Sequence, residues 1–495
     1  MTNIDSVGTD RGIGVTSRLR WFALVVLCLG QLVIVVDGTV VNVALPVIQI
    51  GLHFSQASLA WVVNAYLVTF AGLLLLAGRL GDLFGRKRVF LFGLSLFTVA
   101  SAFCGLAASE TSLIAARFVQ GIGAAFSSSM VLGILVTLFP APAERNKAMT
   151  VYAIIGNIGG SIGLVVGGVL IQYLTWHWIF FINLPIGVAG VSAASFVLSD
   201  DPGIGIRGGV DWKGGVLVVG APTIGVWAIV NAAAVGWFTV ETVGLLVLAV
   251  VLGGLFFFVE GRVRNPLVPR SVLRNRQLAA ANSLRFFHGF GMSSVLFLGA
   301  LYMQHVLRYT AFETGLGYMA LNVTIGFSSL MVVSRLIRRS GPVKPIIPGF
   351  VFIVSGLLLL ARAPFDGSYF ADVLPTMLLV GVGASLVFLP SLTIAMAGAG
   401  PAESGLASGL TNVTLQIGAA FGTALAASIA AVGTVRALRH HDSIAQALTA
   451  GYHLGFLVAI CGPVFGITIA AVFLRRLPPV NALAAKTVES VLIAE

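Results

Sequence analysis

The sequence predicts an all-α membrane protein of fourteen spans, two six-helix bundles joined by two extra transmembrane helices. Three observations predict it. Of 495 residues, 58% are hydrophobic and only 9% charged, whereas a soluble globular domain carries about 25% charge. The apolar stretches are long: 21–44 holds one charge, Asp37, and 91–108 and 214–240 hold none. Two parts of the chain also repeat each other.

A bilayer core needs about 20 apolar residues per helix. Lipid offers backbone groups no partner, so spans of this length are helices. The short alternating strands of a β-barrel are absent from the sequence. In order, the spans are expected near 21–46, 58–80, 89–108, 111–138, 147–173, 177–198, 214–235 and 240–260, then 279–304, 312–337, 343–363, 371–397, 405–433 and 452–475. The first is not a cleavable signal, because its apolar run is too long and contains Asp37. Cys28, Cys104 and Cys461 all fall inside spans and read as small core hydrophobes rather than a disulfide framework or metal site.

The net charge is +11. If the N-terminus is cytoplasmic, the outside loops hold only Arg308, Arg362, Arg436 and Arg439, while Arg117 and Arg285 fall within spans. The other Lys and Arg, including Arg11, Arg207, Arg264, Arg475, Arg476 and Lys486, fall on inside segments. That bias places both termini in the cytoplasm. The basic excess is topological and calls for no nucleic-acid partner.

The repeat is carried by three matches. Residues 78–85 (Gly-Arg-Leu-Gly-Asp-Leu-Phe-Gly) align with 334–341, 121–124 with 381–384, and Gly163 and Gly167 with Gly418 and Gly422, all about 255–260 positions apart. Duplicated halves around a central site are a transporter architecture. The expected units are a cytoplasmic tail 1–20, a first bundle 21–198, a linker 199–261 with two helices, a second bundle 262–475 and a tail 476–495.

Asp37 is the carboxylate deep in a span. It lies about 24 Å of helix from Trp21 at 1.5 Å per residue. A carboxylate in lipid is costly and must face protein or water, so proton binding and release is its expected role, against a purely structural hydrogen-bonding one. Arg117 sits in the fourth span and needs a carboxylate or carbonyl partner. Coupling to Asp37 and a structural tie between helices are both open. Asp82, with Arg86, Lys87 and Arg88, lies on a short inside loop where Gly85 allows a tight turn. Asp82 is expected to pair with a basic group or helix N-terminus across an inner gate. Gly78, Asp82, Gly85 and Arg86 form the gating set. The glycines of 156–168 suit close helix packing. Arg285 is expected to snorkel to the inner interface, with substrate contact as the alternative. His440-His441-Asp442 lacks further ligands and reads as a solvated loop, so no metal is expected. No cofactor is expected either.

These motifs resemble the fourteen-span drug:proton antiporter family of the major facilitator superfamily. Residues 37–46 (Asp-Gly-Thr-Val-Val-Asn-Val-Ala-Leu-Pro) resemble its first-helix signature, 78–88 the superfamily's inner-loop motif and 113–125 its fourth-helix Arg motif. Residues 176–185 resemble the start of its sixth helix, with His177 where Arg is commoner. The resemblance implies the superfamily fold and proton-driven export of lipophilic, often cationic compounds. It implies proton coupling by Asp37 and Arg117 and gating by Asp82 and Arg86. Leu164 follows Gly163 where the family's antiporter motif carries Pro, which departs from strict antiport. The tenth span holds only Glu313, at its outer start, which disfavours a dication. Under the repeat, Asp82 matches Arg338 and Arg117 matches Met377, so the coupling charges lie in the first half.

The candidate cavity lining is Asn42, Trp61, Tyr66, Gln120, Phe286, Phe287, Asn322, Phe388, Asn412 and Gln416. The expected function is a monomeric exporter in the cell inner membrane, of multidrug efflux type, with small lipophilic substrates and protons as partners in the bilayer. An exporter of an endogenous lipid or metabolite is the alternative. A membrane-embedded enzyme would need clustered nucleophiles or metal ligands, and a sensor an added soluble module. The sequence shows neither.

Overall fold

The computed structural model describes residues 17–201, 203, 205, 211–263, 266–398, 404–440 and 443–473. Tail 476–495, nearly all of tail 1–20, Arg11, Arg207, Arg264, Arg475, Arg476, Lys486 and the His441–Asp442 pair lie outside the described residues. Among the described residues there is no strand. The first half comprises α1 (Ser17–Leu52), α2 (Ala60–Phe84), α3 (Arg86–Gly105), α4 (Glu110–Leu138), α5 (Pro142–Tyr173), α6 (Trp178–Phe181) and α7 (Asn183–Val197). Then come α8 (Trp212–Val235) and α9 (Val240–Glu260). The second half comprises α10 (Arg270–Leu273), α11 (Arg276–Leu301), α12 (Ala311–Ser328), α13 (Ser334–Ser340), α14 (Ile346–Leu360), α15 (Leu374–Gly398), α16 (Ser404–Arg439), α17 (Ile444–Ala459) and α18 (Cys461–Phe473). Single π-helical turns extend α11 at Tyr302–Val306, join α12 to α13 at Ser329–Val333 and precede α15 at Tyr369–Val373.

Helix ends follow local chemistry. Ser109, Thr310 and Ser443 cap α4, α12 and α17 with reciprocal capping boxes. Asn275 caps α11 by accepting from Gln277 and Leu278 N–H, and Asp211 caps α8 by accepting from Gly214 N–H.

By length and composition, twelve helices among the described residues can cross a membrane. The fourteen predicted crossings are not all met on that measure. Predicted spans 147–173 and 343–363 correspond to apolar stretches of only Gly159–Tyr173 and Ile346–Leu360. Helix α5 itself is 32 residues long, and 148–173 of it carry no charge. The sixth span is interrupted at Ile182 and the last at Ile460.

In the first half α4 packs on α2 and α3, and α1 on α5 and α7. In the second half α11 packs on α15, α16 and α18, α14 on α15, and α12 on α15. The halves meet along α5 with α12 and α2 with α16. The α8–α9 hairpin leans on α2 and α16 through α8. Its second helix, α9, exposes Val240, Val247, Val250, Val251, Phe257 and Phe258. An apolar face of that kind has lipid as its solvent. Cys28 and Cys104 are buried as expected, whereas Cys461 is exposed.

One close approach fixes the helices beside the site. A Cβ on Gly121 of α4 would collide with Thr69 Oγ1 of α2 and lie 2.5 Å from the Tyr66 carbonyl oxygen. Only a glycine lets α2 and α4 come this near. The Thr69 hydroxyl also donates to the Phe118 carbonyl across the same seam (3.0 Å).

Candidate functional site: a buried carboxylate network

Asp37 and Arg117 are 0% and 1% exposed. Polar groups that deep require full pairing, and the structure supplies it. Arg117 Nη1 donates to Asp37 Oδ2 at 2.5 Å and to Gln120 Oε1 at 2.6 Å. Its Nε donates to the Val62 carbonyl at 2.9 Å. Asp37 Oδ1 accepts from Gln120 Nε2 (2.8 Å) and Asn183 Nδ2 (2.9 Å). Gln120 Nε2 also donates to Ser101 Oγ at 2.7 Å, and the Ser101 hydroxyl donates to the Phe97 carbonyl. The Tyr66 ring lies 4.4 Å from the guanidinium carbon, a cation–π contact.

Five helices thus converge on one carboxylate. α1 brings Asp37, α2 Tyr66 and the Val62 carbonyl, α3 Ser101, α4 Arg117 and Gln120, and α7 Asn183. Arg117 and Gln120 share a face because they are three residues apart on a helix. The Asp37 carboxylate accepts three hydrogen bonds in all. Protonation of Oδ2 would remove the ion pair and turn an acceptor toward Arg117 into a donor.

Gln120 and Tyr66, expected at a substrate cavity, instead belong to this network. Asn183 and Ser101 were not singled out as site residues. A clue existed for both, since each is a polar side chain inside an apolar span.

The expected gating residues form a second cluster at the α2–α3 loop. Arg86 Nη1 donates to the Gly133 carbonyl of α4 (3.0 Å), and its Nη2 reaches Asp82 Oδ1 (3.4 Å). Asp82 therefore pairs within its own loop, where the sequence suggested a partner across the gate. The spacing i, i+4 brings the two together at no loop cost. Gly85 has φ +95°, and a Cβ there would strike the Asp201 carbonyl oxygen, so no other residue fits. Gly205 N–H donates to the Leu83 carbonyl and Lys87 pairs with Asp200 (3.0 Å), which ties the end of the first half to this loop. A Cβ on Gly78 would meet open space, so no steric demand explains that glycine.

The remaining cavity residues scatter. Phe286 and Phe287 line an apolar cavity of ≈ 540 Å³ between α2, α8, α9, α11 and α16, together with Leu217, Phe256 and Val413. Trp61 lines another of ≈ 510 Å³ with Phe118 and Trp227. Asn42 donates back to the Gly38 and Thr39 carbonyls of its own helix. Asn322, Phe388, Asn412 and Gln416 line neither cavity. On α16 the lining face is Leu410, Val413, Thr414 and Ile417, one residue round the helix from Asn412 and Gln416. Arg285 does not snorkel: it is 3% exposed, and its guanidinium lies 3.9 Å from the Phe388 ring centroid. Among the described residues no three His, Cys, Asp or Glu could hold a metal.

A sequence profile described as Major Facilitator Superfamily matches residues 27–423. The chain belongs to that superfamily. It is a multi-pass membrane transporter of small molecules and not an enzyme. It is 34% identical over 456 residues to the puromycin resistance protein pur8 of Streptomyces alboniger, covering 92% of this chain and 90% of that protein. It is 35% identical over 422 residues to the cephamycin export protein CmcT of Amycolatopsis lactamdurans, covering 83% and 85%. Among solved structures it resembles a bacterial homolog of the human lysosomal transporter Spinster, in an inward-facing and occupied conformation. That likeness has a TM-score of 0.66 at 13% identity, covering 93% of this chain and 98% of that one, and it speaks to the fold alone.

Proposed function

We propose that the chain is a proton-coupled exporter of lipophilic, antibiotic-type compounds, working by alternating access as an antiporter with Asp37 as the proton carrier. The observation that carries this is the Asp37 carboxylate, fully buried and held by Arg117, Gln120 and Asn183. Intramembrane acids in such networks are proton relays by default. With Asp37 ionised, the pair with Arg117 ties α1 to α4. A proton on Asp37 removes that tie and shifts the balance between two packings of the first half. The names of the relatives, one a resistance protein and one an export protein for antibiotics, support the substrate class. The apolar linings around Phe286, Phe287 and Trp61 suit such compounds.

In this reading the units are 21–198, a linker 199–261 and 262–475, flanked by tails 1–20 and 476–495. Helices α5 and α14 also cross, giving fourteen spans: residues 148–173 of α5 carry no charge, and the short apolar stretch of α14 is accommodated by local thinning and by flanking residues. Both termini face the cytoplasm, in the cell inner membrane. Gly78, Asp82, Gly85 and Arg86 form the inner latch, which Arg86 fastens to the Gly133 carbonyl. On the opposite side Gln304 Nε2 donates to the Val43 carbonyl (2.9 Å) and Phe312 abuts Gly168, closing the halves together.

The test is flux in proteoliposomes loaded with a panel of neutral antibiotics. An imposed pH gradient is expected to drive flux severalfold above the rate without one, and a protonophore should abolish the difference. Flux that ignores the gradient would count against proton coupling.

A further inference from the structure

Arg285 stands on α11, and among the described residues it makes no hydrogen bond and no ion pair. It is 3% exposed, its Nε is buried without a partner, and its guanidinium carbon sits 3.9 Å over the Phe388 ring of α15. One turn on, His288 is 4% exposed, its Nδ1 also lacks a partner, and its ring lies 6.2 Å from the same Phe388 ring. One turn back, Asn282 presents an unpartnered Oδ1 and lines the ≈ 540 Å³ cavity beside Ser283 and Phe286. Three successive turns of one helix therefore carry polar atoms with nothing to bond.

Arginine stays protonated in a protein. A buried charge without a counterion is strongly unfavourable, and a single aromatic face offsets only part of that. Arg117 shows the contrast, since it bonds Asp37, Gln120 and the Val62 carbonyl. The second half offers Arg285 no such acid. From Arg276 onward the acidic residues are Glu313, Asp366, Asp372, Glu403, Asp442, Glu489 and Glu495. Glu313 caps α12, Asp372 accepts from Ser368 N–H, Asp366 is exposed, and the other four lie outside the described residues. The remaining buried acids, Asp211 and Glu260, meet at Gly214 where α8 begins and α9 ends. With Asp37 neutralised by Arg117, Arg285 leaves its surroundings positive.

We propose that Arg285, with Phe388 and His288, binds an anionic group, a carboxylate or sulfonate carried on an apolar or aromatic body. The inference rests on the exporter reading and places lipophilic anions among its substrates, with lipophilic cations repelled. The Phe388 ring packs against the guanidinium, and His288 Nδ1, in the tautomer that carries its proton there, donates a further hydrogen bond to the anion.

Pyrene-1-sulfonate and pyren-1-ylmethylammonium make the test, since they share an aromatic body and differ in charge sign. Equilibrium binding of each is measured to the full-length protein in lipid nanodiscs, for wild type, Arg285→Gln and Arg285→Met. Partition into the lipid is common to all three and cancels in the comparison. Both variants are expected to bind the sulfonate about 10- to 100-fold more weakly, the size expected for a charged hydrogen-bond donor. Ammonium binding should hold or tighten. The melting temperature of Arg285→Met should rise, because an unpaired buried charge is gone. Unchanged sulfonate affinity in the variants overturns the proposal. So does failure of both variants to fold, which would make Arg285 a structural cation. Flux of a neutral compound in the same preparations reads the exporter function separately, so loss of proton-driven flux alone strikes that reading and leaves the anion site standing.

Discussion

Replacing Asp37 with asparagine is expected to cut pH-driven efflux by about a hundredfold, which corresponds to losing roughly 3 kcal/mol of coupling. The amide keeps the shape of the carboxylate, and its oxygen still accepts from Arg117. It cannot exchange a proton. The variant should therefore hold the network in one arrangement while substrate still binds. Flux in proteoliposomes under an imposed pH gradient checks the loss, and binding of the same substrate at equilibrium checks that the cavity survives. Efflux at the wild-type rate would remove Asp37 from the mechanism.

The second large effect is on stability. Arg117→Met leaves Asp37 buried with only the Gln120 and Asn183 amides, and an uncompensated buried charge costs about 3–5 kcal/mol. The Val62 carbonyl also loses its donor. The variant should melt well below wild type in detergent, or fold only with Asp37 permanently protonated. Adding Asp37→Asn removes the stranded charge, so the double variant should recover about half of the loss, as expected for residues in direct contact. It should still show no proton-driven flux. That combination separates the pair's structural contribution from its coupling role. A double variant no more stable than Arg117→Met would show that the two side chains contribute independently.

Much of the architecture was legible because lipid leaves so few options. Long uncharged runs such as 91–108 can only be helices, and each predicted span finds a helix or a broken pair of helices in the structure. Counting crossings was harder. The brevity of α14 leaves an apolar stretch shorter than a bilayer core. Asp37 and Arg117 stood out as charges in apolar surroundings, yet their pairing is an 80-residue contact that no local pattern encodes. Ser101 and Asn183 were hidden for a related reason, since single polar residues are common in transmembrane helices. Only the meeting of α3 and α7 at α1 gives these two a purpose.

Other expectations failed on geometry. Arg285 has a stem long enough to snorkel, but the α15 packing turns it onto Phe388. Asn412 and Gln416 looked like cavity residues by polarity, while the face of α16 toward the cavity is set by the α8–α9 hairpin. That hairpin has no counterpart in the internal repeat. Asp82 was read as a cross-gate partner, yet Arg86 four residues away meets it first.

The most direct test of the coupling claim is proton release on substrate binding. The purified protein, in weakly buffered solution with a pH-sensitive dye, is titrated with a transported compound over a series of pH values reaching down to where Asp37 starts protonated. Wild type is expected to release protons as substrate binds, and Asp37→Asn to bind the same compound with no release. Equal release from both would contradict the account, because the proton would then come from a group other than Asp37.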